Sequence, residues 1–471
     1  MKVLLLYPPD FNMLRSNVPS LVDQETGFYP PIGLLYVASY ALERSTHDIT
    51  VIDAHARRMS FDQIEEKIRE LKPDIVGIQT LTFSLYDVVL TAKRAKKANP
   101  DVRIVLGGPH AYLFPEETLN LPEVDFIVLG EGEKIFCDLL NALEKGSDLS
   151  RIKGIGYKDG DRLAISPPDS LLNDLDCLPH PKRDLLPLHD YSSILSKGSC
   201  VTTLISSRGC PFQCIFCDRP HLGKKFRHHS ARYVVDEMKM CRELGIEEII
   251  FYDDTMTINR DRVMEICRLL KEGKINLMWD VRAHINTVDK DMLREMARAG
   301  CIRIHYGIES GNQRVADVLR KNIRLDRVRE VFRETKRLGI ETLGYFIIGN
   351  PTETREEIRD TIRFAREIDP DYVHISVMTP FPGTYLYRMG LEQGILPYDY
   401  WKQYAANPDP AFIPMVWEEN FTREELNEML IKAYKDFYKR PGYIIKRLLK
   451  MRSWKETYHK VKAGIRLLKL K

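Results

Sequence analysis

The 471-residue sequence lacks long hydrophobic runs, which excludes several classes of protein at once. No segment approaches the roughly 18 consecutive apolar residues of a membrane-spanning helix. The apolar start at residues 3–7 ends at Pro8-Pro9, so it is too short for a signal-peptide core and is typical of a buried strand. Short repeats and low-complexity segments are also missing. These absences predict a folded cytoplasmic protein with about two to four domains.

Acidic and basic residues nearly balance over most of the chain, and the net charge is only +3. The exception is the C-terminal end, where basic residues dominate. Residues 439–471 hold twelve Lys or Arg against one acid, Glu456, and so carry +11. Basic amphipathic stretches at 443–450 and 465–470 predict contact with an anionic membrane surface. A helix packed on the preceding domain, with its basic face in solvent, is an equal alternative. Nucleic acid is not expected as a partner, because no RNA-binding signature is visible.

Cysteine is present, but its odd number argues against a disulfide framework. Of the nine cysteines, six are scattered singly and are typical of small buried hydrophobic residues. The other three, Cys210, Cys214 and Cys217, fall within eight residues. This cluster is therefore the strongest chemical signal in the chain.

Residues 1–150 alternate short apolar segments with helical patterns, which is typical of parallel βαβ units. Five such strands predict an open, doubly wound parallel sheet in a Rossmann-like α/β domain. Residues 151–198 differ, because they contain a turn signal at Lys158-Asp159-Gly160 and five prolines. We interpret this segment as a Pro-rich connector that contains a hairpin.

Residues 199–400 resume the alternation with six strand–helix repeats. Six repeats in about 180 residues predict a partial (β/α)6 barrel, whose active residues lie at the carboxyl ends of the strands. Residues 401–471 are predicted to form a helical C-terminal segment. The barrel strands are predicted at 201–206, 248–252, 277–282, 302–307, 341–348 and 372–377.

The three clustered cysteines have the spacing C-x3-C-x2-C and follow directly on the first barrel strand. Three thiolates on one loop can bind three corners of an iron–sulfur cluster. A cluster of four irons would keep one iron open for a small chelating molecule, as a catalytic metal site keeps an open position. A structural zinc site is the alternative, because His221, His228 and His229 follow closely, yet zinc needs a fourth ligand at short range.

The cysteine motif followed by six repeats resembles the radical S-adenosylmethionine (SAM) superfamily, in which the open iron binds SAM and cleavage yields a 5′-deoxyadenosyl radical. The resemblance implies a [4Fe-4S] cluster on Cys210, Cys214 and Cys217. It also implies an external electron donor such as a flavodoxin or ferredoxin. By the same resemblance, the ends of the later strands are expected to contact SAM, and the candidates are Asp253, Asp254, Arg282, Glu309, Gly344 and Gly349.

Each SAM candidate has a chemical reason within this resemblance. The two aspartates suit the SAM ammonium group, Arg282 suits its carboxylate, and Glu309 suits the ribose hydroxyls. The two glycines allow the backbone to approach the adenine closely. A helix cap formed by Asp254 or Thr257 is an alternative for the acidic pair.

Residues 1–150 resemble the cobalamin-binding domain that precedes the radical SAM domain in a large subgroup. The matching segments are 2–9, 31–34, 107–110 and 130–133. The glycine pairs follow predicted strands, where sheets of this type bind ligands. The residues expected to contact cobalamin are Thr80, Thr82, Gly107, Gly108, Pro109, Glu131 and Gly132.

The first domain departs from the best-known cobalamin motif, D-x-H-x-x-G, because Pro8-Pro9-Asp10 offers no histidine after the first strand. His55 follows the second strand instead and is expected to be a surface residue. Cobalamin is therefore expected to bind without a protein ligand to cobalt, or the domain is only a scaffold. A nicotinamide-binding domain is not expected, because no G-x-G-x-x-G follows the first strand.

Together these resemblances imply a cobalamin-dependent radical SAM enzyme that transfers a methyl group to an unactivated carbon. The alternatives are a cyclase or oxidase resembling the anaerobic magnesium-protoporphyrin monomethyl ester cyclase, a radical SAM enzyme with a vestigial cobalamin domain, and a non-catalytic carrier. The expected substrate is a small molecule of lipid-like or porphyrin-like character. Tyr385, Tyr398 and Trp401 are candidates for its pocket, although packing explains aromatic residues equally well.

Overall fold

The computed structural model describes residues 1–14, 27–193, 195–217 and 222–449. The chain forms two α/β domains, each built on its own sheet. Within these residues, every helix is too short or too polar to cross a membrane. His221 and the basic stretch at 465–470 lie outside the described residues.

The first sheet has seven strands: β1 (Lys2–Tyr7), β2 (Asp48–Asp53), β3 (Ile75–Gln79), β4 (Arg103–Gly107), β5 (Phe126–Val128), β6 (Ile155–Asp159) and β7 (Arg162–Ile165). Their order is β2-β1-β3-β4-β5-β6-β7, and the first five strands in sequence are parallel. The chain reverses its winding between β1 and β3, which creates a crevice at the carboxyl ends. The hairpin β6–β7 extends the sheet to Ile165, beyond residue 150.

Helices cover both faces of the first sheet, because successive residues of β1 point to opposite sides. Val3 and Leu5 face one apolar core, and Leu4 and Leu6 face the other. Ser60 and Gln63 form a capping box that starts one of these helices. The helices are α1 (Ile32–Arg44), α2 (Phe61–Leu71), α3 (Leu85–Ala98), α4 (Pro109–Leu113), α5 (Pro115–Asn120) and α6 (Gly132–Lys145).

The second sheet has six parallel strands: β8 (Val201–Leu204), β11 (Glu248–Phe251), β12 (Met278–Ala283), β13 (Cys301–Glu309), β14 (Glu341–Ile348) and β15 (Tyr372–Val377). They follow one another in this order, and β8 and β15 are its two edges, so the barrel is open. A separate two-stranded ladder, β9 (Ser207–Arg208) and β10 (Arg227–His228), flanks the cysteine loop. The partial (β/α)6 barrel predicted from the sequence is confirmed.

Helices cover the outside of the barrel and continue into the C-terminal region. Capping boxes start two of them, at Thr354 and at Thr422. The barrel helices are α7 (Ala231–Glu243), α8 (Arg260–Glu272), α9 (Lys290–Arg298), α10 (Gln313–Val318), α11 (Leu325–Arg337) and α12 (Arg355–Ile368). The C-terminal helices are α13 (Tyr385–Glu392), α14 (Tyr400–Ala406), α15 (Arg423–Tyr438) and α16 (Pro441–Leu449).

The segment after the barrel returns to the first domain. Trp401 and Tyr404 of α14 are buried in the same apolar core as Leu4 and Leu6. The Trp401 indole Nε1–H donates to the carbonyl of Pro380 at 2.9 Å. Trp401 is therefore a core residue, whereas Tyr385 and Tyr398, the other two aromatic candidates for a substrate pocket, are exposed.

Seven short 3-10 turns complete the described structure. Three of them follow carboxyl ends of strands, after β3, β11 and β12, and so help to shape the edges where ligands bind. Their bounds are Thr82–Ser84, Leu149–Arg151, Leu175–Cys177, Arg183–Leu185, Leu188–Asp190, Met256–Ile258 and Ile285–Thr287.

Candidate functional site

The clustered cysteines lie on the loop that leaves β9. Cys210 is buried with its Sγ 3.7 Å from Thr255 Oγ1, whereas Cys214 and Cys217 are half-buried. The backbone N–H of Ile215 donates to the carbonyl of Leu319 at 3.2 Å, which anchors the loop to the segment after α10. Among the described residues, none of the three thiols forms a disulfide.

The donor set suits an iron–sulfur cluster. Within the described chain, no three His, Cys, Asp or Glu side chains converge as ligands of a single metal ion would. Thiolates that bind different irons of a cluster need not converge. His228 approaches Asn259 Nδ2 at 3.3 Å, and His229 approaches Asp176 at 3.2 Å, so both histidines are engaged elsewhere. This arrangement gives no support to a closed zinc site.

An ion pair between Glu309 and Lys321 lies beside the cysteine loop. Lys321 Nζ is 2.8 Å from Glu309 Oε1, and both side chains are buried. Burial lowers the pKa of Lys321, but the Glu309 carboxylate and the thiols of Cys214 and Cys217 outweigh it and hold that pKa above its usual value. Lys321 therefore adds a buried positive charge near two of the cysteines, a role that no sequence pattern indicates.

The Glu309–Lys321 pair packs closely against Gly307. A Cβ on Gly307 would overlap Glu309 Oε1 and lie 2.7 Å from Lys321 Nζ. The β13–β14 register shifts between Gly307 and Glu309, and Glu309 has a φ of 67°, in the left-handed region. The bulge thus turns the carboxylate toward the loop after α10.

The two candidate aspartates differ in what they do. Asp253 is fully buried and accepts hydrogen bonds from the backbone N–H and hydroxyl of Ser206, at 2.7 and 2.6 Å, and from the Ser207 hydroxyl. Burial raises the pKa of Asp253, although Arg262 and the serines oppose it. Asp253 therefore joins the ends of β8 and β11.

Asp254 is half-buried at the carboxyl end of β11, one residue beyond Asp253. Helix α8 is capped by Asn259, whose side chain accepts from the backbone N–H of Arg262 at 3.1 Å. The alternative reading of Asp254 or Thr257 as the helix cap is therefore wrong.

Arg282 lies in the interior of the barrel, on β12. Its guanidinium carbon is 4.5 Å from the centre of the Tyr252 ring, and Tyr345 lies beside the same guanidinium. His305 Nδ1 is 3.1 Å from the Tyr345 hydroxyl, and its Nε2 is 3.5 Å from Asp280. These groups form a continuous polar chain across β11, β12, β13 and β14.

The two candidate glycines of the fifth barrel strand are positions of close packing. A Cβ on Gly344 would lie 3.1 Å from the Phe346 ring. Gly349 has a φ of 75°, and a Cβ there would lie 2.7 Å from Leu426 of α15. Packing therefore accounts for both glycines without a ligand.

A cleft of about 210 Å³ opens at the carboxyl ends of β1, β3, β4 and β5. Its walls are largely apolar, and it lies at the crevice where this kind of sheet binds nucleotide-like ligands. A Cβ on Gly77 in its floor would lie 2.7 Å from Leu5. The position, apolar walls and glycine floor suit the nucleotide tail of cobalamin. Five of the predicted cobalamin residues line this cleft: Gly107, Gly108, Pro109, Glu131 and Gly132.

Thr80 and Thr82 are not among the residues that line this cleft. The Thr80 hydroxyl donates to the carbonyl of Ile78 at 3.2 Å, and the Thr82 hydroxyl is 3.0 Å from His110 Nδ1. His55 is half-buried and pairs with Asp10 at 3.0 Å, so it too lies away from the cleft lining.

Four buried charged residues join the cleft to the cysteine loop. Arg208 Nη1 is 2.8 Å from Glu131, its Nη2 bonds to Glu133, and Arg227 is 2.9 Å from Glu131. Glu131 also accepts from the backbone N–H of Leu172 at 2.7 Å. Burial opposes ionisation, but Arg208 and Arg227 hold the pKa of Glu131 below its usual range. We call Glu131, Glu133, Arg208 and Arg227 the charged quartet.

Comparisons with known proteins match one family model to each of the two α/β domains. The Radical SAM superfamily model matches residues 204–365, and the B12 binding domain model matches residues 21–140. An uncharacterized methyltransferase of Pyrococcus horikoshii is 37% identical over 449 residues, which cover 95% of this chain and 94% of that protein.

A second relative and a solved structure extend the comparison. The anaerobic magnesium-protoporphyrin IX monomethyl ester cyclase of Rubrivivax gelatinosus is 28% identical over 453 residues, covering 94% of this chain and 78% of the cyclase. The radical SAM methyltransferase TsrM from Kitasatospora setae, solved with cobalamin and a [4Fe-4S] cluster, gives a TM-score of 0.69 at 20% identity. It covers 84% of this chain and 78% of that one, and so shares its fold.

Proposed function

Because the chain belongs to the radical SAM superfamily and carries a B12-binding domain ahead of its radical SAM domain, we propose that it is a cobalamin-dependent methyltransferase acting at an unactivated carbon. The observation that carries this proposal is the shared wall between its two sites. Arg208 lines the cleft of the first domain and stands two residues before Cys210. A group in the cleft and a group on the cysteine loop would therefore lie close together.

The residues of this chain would hold and orient the two cofactors. Cys210, Cys214 and Cys217 would bind the cluster, and Glu309 would bind the SAM ribose, with Lys321 fixing its carboxylate. When bound, the cluster with SAM supplies a 5′-deoxyadenosyl radical and cobalamin supplies a methyl group. The buried walls of the site exclude water from this chemistry.

We propose the remaining SAM and cobalamin contacts from where their residues lie, at a strand end of the barrel and in the cleft of the first domain. Asp254 stands at the strand end where an ammonium group would bind, and the cleft glycines allow the backbone to approach the cobalamin tail. Cobalamin would bind without a histidine on cobalt, because His55 is paired with Asp10 outside the cleft.

The first experiment is anaerobic reconstitution with iron, sulfide and hydroxocobalamin, followed by gel filtration and an absorbance spectrum. Corrinoid bands that elute with the protein would support the proposal. The reduced protein should then convert SAM into 5′-deoxyadenosine and S-adenosylhomocysteine. Cys217→Ala should abolish 5′-deoxyadenosine formation, whereas Cys177→Ala, at an exposed cysteine outside the loop, should not.

Two outcomes would redirect the proposal. Bound corrinoid with no S-adenosylhomocysteine would favour a cyclase or oxidase, as the similarity to the magnesium-protoporphyrin cyclase allows. Iron–sulfur absorbance without corrinoid would mean that the first domain is vestigial. A reconstituted protein that cleaves no SAM would leave only a carrier function.

We further propose that the electron for SAM cleavage comes from a flavodoxin or ferredoxin. Cys214 and Cys217 are half-buried, so the cluster would lie near the protein surface, within reach of an external donor.

We also propose that α16 contacts an anionic membrane surface. Tyr443 of this helix donates to the carbonyl of Asp371 at 2.8 Å, and Lys446 pairs with Asp369 at 2.8 Å, so one side is docked on the barrel. Ile444 and Ile445 remain 40% and 58% exposed. Exposed isoleucines within a segment of charge +11 suit insertion into an anionic interface.

A further inference from the structure

Half-buried side chains on four neighbouring strands mark an opening inside the barrel. Arg282, His305, Tyr345 and His374 are each half-buried, while both neighbours of each along its strand are buried. The register places Arg282 opposite His305, and Tyr345 opposite His374. Because alternate residues of a strand face the same side, these four side chains point into the barrel interior.

Arg282 is the cation of this interior surface, and no carboxylate of the described residues lies within 4.0 Å of its nitrogens. Asp280, the nearest acid, is engaged with Arg303 at 3.1 Å and with His305 at 3.5 Å. The phenols of Tyr252 and Tyr345 lie beside the guanidinium but supply no negative charge. Asp280 therefore compensates the half-buried guanidinium charge only from a distance, and the site favours a further anion from outside the chain.

The hydrogen-bond capacity of Arg282 exceeds what the two phenols use. A guanidinium carries five N–H donors, and each phenol oxygen satisfies one or two of them. The Tyr345 hydroxyl, beside the guanidinium, is also 3.1 Å from His305 Nδ1. The phenols thus hold the guanidinium plane in place and leave donors for a planar or tetrahedral oxyanion.

The position of Arg282 along the barrel separates it from the candidate SAM contacts. Arg282 lies opposite His305, and Glu309 lies four residues further along β13. The Glu309 carboxylate folds back beside Gly307, two residues after His305, so about 7 Å of strand separates its level from that of Arg282. Arg282 could therefore bind either the SAM carboxylate, as the sequence predicts, or a second anionic ligand deeper in the barrel.

We propose that Arg282 binds an anionic oxygen group of the methyl acceptor, a carboxylate or a phosphonate or phosphate, inside the barrel. This inference rests on the proposed function, because it assigns a chemical class to the substrate of that site. Tyr252 and Tyr345 are positioning residues, since they orient the guanidinium. The acceptor carbon would then project toward the strand ends, where the cysteine loop lies.

The test measures anion binding and SAM binding separately on the anaerobically reconstituted protein. Isothermal titration with methylphosphonate and with acetate reports the oxyanion site, and acetamide is the neutral control. Equilibrium dialysis with SAM reports the cofactor site. The variants are Arg282→Gln and Arg282→Lys, and the matched control is Arg329→Gln, an arginine 4.9 Å over the Phe364 ring on the outside of the barrel.

The expected result is that methylphosphonate and acetate bind the wild type and acetamide does not. Arg282→Gln should weaken anion binding about tenfold or more, since a charge-assisted hydrogen bond is lost. Arg282→Lys should weaken it less, and Arg329→Gln should leave it unchanged. SAM affinity should be the same in all four proteins.

Three results would overturn the inference. They are no anion binding to the wild type, equal anion binding to Arg282→Gln, and a loss of SAM affinity in both Arg282 variants, which would return Arg282 to the SAM site. None of these depends on methyl transfer, so a failure of the proposed function would be seen separately, as missing corrinoid or missing S-adenosylhomocysteine.

Discussion

At the scale of a single residue, Gly307 controls the space around the Glu309–Lys321 pair. Gly307→Ala should separate the pair, because its Cβ would overlap the Glu309 carboxylate. We expect the rate of 5′-deoxyadenosine formation to fall about tenfold, and the free energy of unfolding to fall by about 1–3 kcal/mol. Gly442→Ala is the control, since a Cβ there meets open space. An unchanged rate in Gly307→Ala would show that the pair is not needed for SAM cleavage.

Glu353, also a single residue, lowers the free energy of unfolding in a way that depends on pH. It is fully buried, and burial raises its pKa to about 7 from 4.5, against hydrogen bonds from Asn350. Between these values the folded state binds a proton that the unfolded chain has released, so stability falls as pH rises through this window. Above pH 7 the whole cost is present.

Glu353→Gln should remove this cost. Its free energy of unfolding should exceed that of the wild type by up to about 3 kcal/mol at pH 8, and the difference should vanish near pH 4.5. Urea unfolding at the two pH values checks this, with Glu392→Gln as an exposed control. A stability difference that does not depend on pH would mean that folding does not raise the pKa of Glu353.

At the scale of elements, the charged quartet connects the loop before α6 to the β9–β10 ladder. Arg208→Met would leave Glu133 buried without its partner, which typically costs about 3–5 kcal/mol. The double variant Arg208→Met with Glu133→Leu should recover part of that loss, because no unpaired charge remains at Glu133. Urea unfolding and iron content after reconstitution measure both effects. A double variant less stable than the single one would contradict this account.

The exposed isoleucines of α16 give a second prediction at this scale. Ile444→Ser with Ile445→Ser should weaken binding to vesicles containing anionic lipid by about a hundredfold, since each buried isoleucine side chain contributes about 1.5 kcal/mol or more. The matched control is Ile413→Ser, an exposed isoleucine away from the basic segment. Vesicle co-sedimentation checks this. If the double variant and the control bind vesicles equally well, α16 is a helix packed on the barrel that does not enter the membrane surface.

Element boundaries were predictable where the pattern is regular. The predicted strands at 341–348 and 372–377 coincide with β14 and β15, because apolar alternation runs to both ends. Strand β13 extends to Glu309, two residues beyond its predicted end, because a bulge and a left-handed φ leave no periodic signal. The turn signal at 158–160 predicted the hairpin, but the sequence could not indicate that β5 would be its neighbour.

At the scale of the whole molecule, the charged quartet connects the two domains at the wall of the cleft. A ligand in the cleft would therefore stabilise both domains. Hydroxocobalamin at 100 times its Kd should add about 2.7 kcal/mol to the stability of the folded state and raise the Tm. Gly107→Val should abolish the shift, because a side chain there fits the strand but fills the cleft. Differential scanning calorimetry checks both. A Tm shift that persists in Gly107→Val would place the corrinoid elsewhere.

The site was predictable in its motifs and not in its tertiary pairings. Local spacing identified the cysteine loop and the cleft glycines. Lys321 was missed because it reaches Glu309 from a separate loop, and no spacing links the two. Glu131 lines the cleft as predicted, yet its carboxylate is held by Arg208 and Arg227, which are distant in sequence.

The return of α14 to the first domain has a consequence for biosynthesis. The core beside Leu4 and Leu6 is completed by Trp401 and Tyr404, yet the first sheet ends at Ile165. On a ribosome adding 5–20 residues each second, roughly 10–50 s would separate the emergence of that sheet from the arrival of its covering helix. During this interval the part of that apolar core which Trp401 and Tyr404 cover is exposed, and a chaperone is the natural temporary cover for it.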